Sequence, residues 1–411
     1  MGTKSLRLFR KVTIPPILSK GLPWILSLSF TLFIYQIHMT PNVDSMLNEN
    51  NDRLSLVFLK SQIRYHQEFA PFARRPLTSS LIETTTQLFD IPLGQAFVWV
   101  NFILLFCSGV LLYILSRALH ASQKHGLLNM TVYFLSFSVL FSFFPPVFSY
   151  DEPLQYCLIL LALWAFVLGR WWFYVPFFTL ALICRETSVL LLPALFFFCP
   201  EKKPSHTPLQ QFAVLFLPLL LYGLFIGYYL ESHDLWGVTQ NEMNSRFGCF
   251  LENFENPKNT VESLTSLFLT LGPFLYLTVV VLKRKTVSAY QKKWLHAFLL
   301  TVALNTPLVF LTSFAREARL FALPLFFLWP VFAQLFDKEL LLLVQWKTYI
   351  QLAKEYRHIL ILLGLTLFNY LFCFQIYQKL RLGENNYFTE YLFVLVLLLS
   401  IHFIAKRLKT F

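Results

Sequence analysis

The chain has 411 residues, of which 56% are hydrophobic and only 14% charged, and Phe alone supplies 46. A soluble domain of this size has no interior large enough to hide so much apolar surface, so the composition excludes one. The net charge of +12 and pI of about 9.4 do not argue for nucleic acid, because lysine and arginine gather in the cytoplasmic loops of membrane proteins.

Apolar runs of about twenty residues match helices crossing a hydrocarbon layer roughly 30 Å thick. Period-2 alternation is missing, which argues against an outer-membrane barrel. The basic and then apolar start, Met1 to Tyr35, reads as an uncleaved signal anchor leading into a span at 22–39. Further segments are predicted at 94–116, 127–147, 153–169, 171–184, 187–198, 209–230, 264–282, 294–313, 319–336, 358–377 and 389–405. The expectation is an all-α integral membrane protein with about 12 membrane segments, in one polytopic domain over 1–411 with both termini cytoplasmic. Two polar loops interrupt it, about 40–92 and 231–263. Within the first, 53–67 reads as an amphipathic helix along the outer interface, Ser80 to Glu83 fits a capping box, and His66 reads as a surface residue. The stretch 339–357 reads as a cytoplasmic interfacial helix. The cysteines lack metal spacing and read as packing residues. Asn129-Met-Thr lies near a cytoplasmic helix end, so it is not expected to be glycosylated.

The stretch "ALICRETSVLLLPA", 181–194, decides the topology. Taken as one helix, 171–198 would be about 42 Å long, with Arg185 and Glu186 in its middle, where charges are costly. It would also place Lys283, Arg284, Lys285, Lys292, Lys293, Lys406, Arg407 and Lys409 outside. Taken as two half-helices turning at Arg185-Glu186, the chain returns all these residues to the side of Lys4, Arg7, Arg10 and Lys11, as the positive-inside rule requires. The half-helices are each only about 18–21 Å long, which puts the turn in a recess on the outer side.

Several charged groups then share that side: Asp44 early in the first loop, Arg74 and Arg75 later in it, Asp151-Glu152 in a short turn, Arg185-Glu186, and Arg316, Glu317 and Arg319 in "AREAR". Arginine offers planar paired donors that match phosphate oxygens, and a separate carboxylate can act as a general base on an incoming hydroxyl. Plainer readings stay open. Asp44 fits an ordinary loop acid, Arg74-Arg75 fit snorkelling side chains, and Asp151-Glu152 fit a helix cap.

In this layout the chain resembles the GT-C superfamily of polytopic membrane glycosyltransferases, in particular its poorly characterised bacterial members. The features that carry the resemblance are a long first outer loop with Asp44 near its start, helices in that loop along the membrane, short helices meeting at "CRETSVLLLP", and the late outer turn "AREAR". The resemblance implies a GT-C-like fold, Asp44 as catalytic base, and Arg185, with Arg75, Arg316 and Arg319, as phosphate-binding residues. Asp44 belongs to no DxD or ExD pair, and no large soluble C-terminal domain is expected.

The function expected is a transferase moving sugar from a polyprenyl-phosphate-linked donor to a lipid, glycan or protein acceptor outside a bacterial inner membrane. Glu186 and Glu317 would support the arginines, and Asp151 and Glu152 would complete the site. No metal ligands are assigned, and a divalent metal, Mg or Mn, stays open as a cofactor. Membrane lipids are the other expected partners, and no nucleic acid is. The alternatives are a transporter or flippase for an anionic lipid or lipid-linked sugar, and a non-catalytic scaffold.

Overall fold

The computed structural model describes residues 16–40, 46–140, 150–198, 208–246, 248–284, 287–379 and 388–409. It is 86% helical, and the described residues form no strand. The first part of the chain holds α1 (Pro16–His38), α2 (Leu56–Glu68), α3 (Ala70–Ala73), α4 (Pro76–Phe89), α5 (Leu93–Ala118), α6 (Gln123–Leu135) and α7 (Phe137–Leu140). Then follow α8 (Glu152–Val167), α9 (Trp171–Cys184), α10 (Leu192–Leu195), α11 (Pro208–Ser232), α12 (Trp236–Arg246) and α13 (Cys249–Glu252). The rest is α14 (Pro257–Leu282), α15 (Ala289–Thr312), α16 (Phe332–Val344), α17 (Trp346–Lys354), α18 (Tyr356–Leu371), α19 (Tyr377–Lys379) and α20 (Phe388–Lys409).

Among the described residues, six helices are long and apolar enough to cross a membrane: Leu93–Ala118, Phe212–Ser232, Pro257–Leu282, Ala289–Thr312, Tyr356–Ile376 and Phe388–Arg407. Glu152–Val167, Trp171–Cys184 and Glu186–Phe198 are apolar but shorter. The outward faces fit the same picture, since Leu360, Leu363, Leu367 and Phe368 on α18 are exposed and apolar. In water such a stripe would be a liability, whereas in lipid it is the matching surface.

The short apolar pieces form a hairpin. The helix α9 starts with Trp171 packed on Phe166 at the end of α8 (5.3 Å between rings). Its Tyr174 donates to the carbonyl of Leu215, near the start of α11 (3.3 Å). At Arg185 the backbone is extended (φ −159°, ψ 115°) and the helix ends. The next residues wind as a 3₁₀ turn, Glu186–Leu191, then α10, then another 3₁₀ turn, Phe196–Phe198. Phe196 returns to Phe212 and Phe216 on α11 (5.7 and 5.5 Å), so both arms end against the same turns of that helix. Phe198 meets Trp294 near the start of α15 (4.5 Å). The tip lies at the other end, beside Asn305, Leu308 and Thr312 of α15.

Elsewhere the structure corrects the sequence reading. The segment 319–336 is not a continuous helix but three 3₁₀ turns, Ala318–Phe321, Leu323–Phe327 and Trp329–Val331, before α16 begins. Pro324 and Pro330 each remove a backbone donor and break helical propagation. The segment is buried, and irregular backbone shut off from water needs internal partners. Asn305 donates to Leu320 O (3.0 Å) and Asn129 to Pro330 O (2.6 Å), while Asn129 accepts from Ala333 N (2.7 Å). Asn129 is fully buried. The segment 339–357 is two helices, α16 and α17, parted at Gln345. Of the predicted span 127–147, the described part is α6 and α7 with a break at Ser136. Ser80 caps nothing: α4 starts at Pro76, a proline suited to a first helical turn.

Candidate functional site: a buried network of arginines and carboxylates

Helix ends meet at the hairpin tip. Arg75 precedes the first turn of α4, Asp151 and Glu152 open α8, and Arg185 and Glu186 form the break after α9. Carboxylates at a helix N-terminus are favoured by the helix dipole, but these do more than cap, since neither Asp151 nor Ser/Thr chemistry supplies a side-chain cap there. Glu152, 2% exposed, accepts from Nη1 of Arg185 on one oxygen and from Nη1 of Arg319 on the other (3.2 Å). Arg319 in turn pairs with Glu317 (2.6 Å). Glu186 accepts from Nε and Nη2 of Arg75 (2.8 and 2.6 Å) and from Nη2 of Arg74 (2.8 Å). Asp151 lies 3.7 Å from Arg75 and 3.2 Å from Nε2 of His66. Arg185 and Glu186 thus face different partners, although they are chain neighbours, and so do Asp151 and Glu152. Among these residues four arginines (74, 75, 185, 319) balance four carboxylates (151, 152, 186, 317).

The surroundings hold Asp151, Glu186 and Arg75 in their ionised forms. Burial opposes ionisation of Asp151 and Glu186, but His66 and Arg75 beside the first, and Arg75 and Arg74 beside the second, outweigh it and lower both carboxyl pKa values. Burial likewise opposes the charge on Arg75, and Glu186 and Asp151 overcome it, raising its pKa. His66 is buried between the rings of Phe72 (4.8 Å) and Tyr150 (4.2 Å). The surface reading of His66 is therefore corrected: its place on the buried side of α2, with Leu59 and Ile63, turns it inward. The helix itself agrees with the amphipathic reading, with Ser55 as its cap.

The turn that delivers Arg319 is tied down from behind. Asn253, buried in the second polar loop, donates to Phe310 O (3.1 Å) and Ser313 O (2.9 Å) and accepts from Ala315 N (2.9 Å). Ser266 donates to Arg316 O (2.6 Å) and Thr270 to Ala318 O (3.1 Å). Nothing in the sequence marks Asn253. Asn305 and Gln155 do carry a signal, as polar side chains inside apolar runs, and Gln155 donates to Ser188 within the hairpin (2.9 Å).

Of the predicted site residues, Arg75, Asp151, Glu152, Arg185, Glu186, Glu317 and Arg319 come together. Arg316 does not: it is exposed, with its guanidinium 5.1 Å from the Phe314 ring. Asp44 lies outside the described residues. The inner half of the network is closed, since the cavity beside Glu152, Arg185 and Arg319 is about 30 Å³, room for a single water. The outer half reaches solvent at Arg74 and Glu186, whose side chains are 12% and 29% exposed. Arg74 keeps a buried Nε with no hydrogen-bond partner. Each network carboxylate is turned to an arginine, so this donor set does not fit Mg or Mn, and no other group of three or more His, Cys, Asp or Glu among the described residues would hold a metal.

A second feature lies further along α2 from the network. A cleft of about 930 Å³ opens between α1, α2 and α5. Asn48, Asn50 and Arg53 line its polar part, and Tyr35, Trp99 and Phe102 its apolar part. One wall is the start of α2 at Leu56 and Val57, about 14 Å along the helix from His66. Comparison with known proteins adds nothing further: no family model, curated protein or solved structure matches the chain.

Proposed function

We propose that this protein is a membrane glycosyltransferase that takes a sugar from a polyprenyl-phosphate-linked donor and passes it to an acceptor hydroxyl on the extracytoplasmic side. The observation that carries the reading is the convergence of four arginines at a recessed meeting of helix ends, with Arg74 at the edge that reaches solvent. Cations placed where a phosphate departs stabilise the developing charge. The cleft between α1, α2 and α5, polar at one side and aromatic at the other, suits an amphiphilic lipid. The lysines and arginines at the opposite ends of α14, α15 and α20 support, by the positive-inside rule, the reading in which the network faces outward.

In this reading Arg74 and Arg75 meet the phosphate first, and Arg185 and Arg319 set the potential from behind. The carboxylates already hold these arginines, so a phosphate binds by exchange, displacing Glu186 from Arg74. Asp44 is the proposed base for the acceptor. The alternative, an anionic-lipid transporter, draws on the two broken segments at 185–198 and 318–331, a device transporters share. The test is transfer of labelled sugar from a polyprenyl-phosphate donor in proteoliposomes. Asp44→Asn and Arg75→Ala variants that fold are expected to lose at least about tenfold in rate. Full activity in both sinks the enzyme reading, and lipid translocation without transfer supports the alternative.

A further inference from the structure

The far end of the bundle carries a second polar assembly. A cavity of about 290 Å³ is lined by His125, Arg284, Gln291, Gln334, Asp337 and Lys338. Two helices begin at its wall. His125 is in the first turn of α6, capped by Ser122, and Gln291 is in the first turn of α15, held in a capping box with Ser288. First turns leave backbone donors directed outward and carry a partial positive charge. Behind the cavity Glu339 is buried and receives Nη2 of Arg284, Nε2 of His402 (2.8 Å) and Nζ of Lys406 (2.9 Å). Among these described residues Arg284, Lys338 and Lys406 outnumber the carboxylates Glu339 and Asp337 by three to two. Among the described residues Arg284 uses only Nη2 on Glu339. The cavity sits where α14 ends and α15 begins, and Val279, one turn back on α14, presents an exposed apolar flank.

We propose that this cavity binds the phosphate of an anionic bilayer lipid, with the glycerophosphate head between Arg284, Lys338 and the two helix starts and the acyl chains along α14. Basic pockets at helix ends recognise anionic head groups by this combination. A soluble phosphate would meet the same donors but would make no use of the apolar flank.

The test is thermal unfolding of the full chain in detergent, titrated with phosphatidylglycerol, phosphatidylcholine or inorganic phosphate. Phosphatidylglycerol is expected to raise the midpoint, and phosphatidylcholine at equal concentration is not. Lys338→Glu, at an exposed position, is expected to weaken the phosphatidylglycerol half-point about tenfold. Lys347→Glu makes the same net-charge change on α17 and is expected to leave the half-point within about twofold. An equal response to both lipids, or an unshifted half-point in Lys338→Glu, overturns the proposal. So does an equal loss in both lysine variants, which makes the effect one of net charge. Equal protection by inorganic phosphate overturns the lipid assignment.

Discussion

Glu152 is the carboxylate on which the inner charge balance depends, and its removal has a calculable consequence. It is almost fully buried and shared between Arg185 and Arg319. In Glu152→Ala, Arg319 keeps Glu317, while Arg185 loses its carboxylate in a recess whose neighbouring cavity admits about one water. Breaking a buried pair by deleting one partner costs about 3–5 kcal/mol. Glu186→Ala removes a carboxylate that is 29% exposed; Arg75 keeps Asp151 at 3.7 Å and Arg74 reaches solvent, so the expected cost is only about 1–3 kcal/mol. Adding Arg185→Met to Glu152→Ala removes the orphaned charge and should recover about 1–3 kcal/mol. The assay is equilibrium unfolding in mixed micelles of increasing SDS fraction, followed by tryptophan fluorescence. The reasoning fails if Glu152→Ala lies within about 1 kcal/mol of the parent, or if the two substitutions simply add.

Other consequences can be measured in the same system. Asn253→Ala strips donors from two carbonyls and an acceptor from Ala315 N; a loss of about 2–4 kcal/mol is expected, and a change below about 1 kcal/mol would show that water replaces the clamp. Arg316→Ala should leave stability within about 0.5 kcal/mol, because the side chain is exposed; a drop in transfer rate without loss of stability would reveal a role in binding. The Glu339 carboxyl is lowered from 4.5 to about 2: burial opposes ionisation, but bonds from His402 and Lys406 and the charge of Arg284 outweigh it. A depressed folded-state pKa gives stability that is complete above the ordinary value and fades as pH falls through the folded one. Parent protein should therefore lose more stability than Glu339→Gln between about pH 5 and pH 2, and parallel acid profiles would contradict the assignment.

The hairpin was legible because two independent quantities agreed on it, helix length against bilayer thickness and the side on which lysines and arginines collect. The arm 171–184 was read with the bounds the structure gives it. The gathering of Arg75, Asp151, Glu152, Arg185, Glu186, Glu317 and Arg319 followed from that topology alone. Pairing inside the group did not, because neighbours along an extended break point in different directions, so Arg185 and Glu186 could not be assigned partners from adjacency. The segment 318–331 was misread as a helix because hydropathy averages over a window and does not see that Pro324 and Pro330 break the backbone, nor that side chains from distant helices supply its hydrogen bonds. Asn253 carries no signal, and His66 reads wrongly as a surface residue, for a related reason: each acts through partners remote in the chain, and each stands in a polar loop where such residues are ordinary.

The network also constrains how the protein is made. Arg75 meets Glu186 across 111 residues of chain, and Glu152 meets Arg319 across 167. At ribosomal rates those separations correspond to roughly 6–30 s of synthesis. During that interval the first partner of each pair must wait at the membrane surface or in the insertion machinery, since neither can enter hydrocarbon alone at low cost. Final seating of the hairpin tip is thus a late event, timed by the arrival of the 3₁₀ turn that bears Arg319.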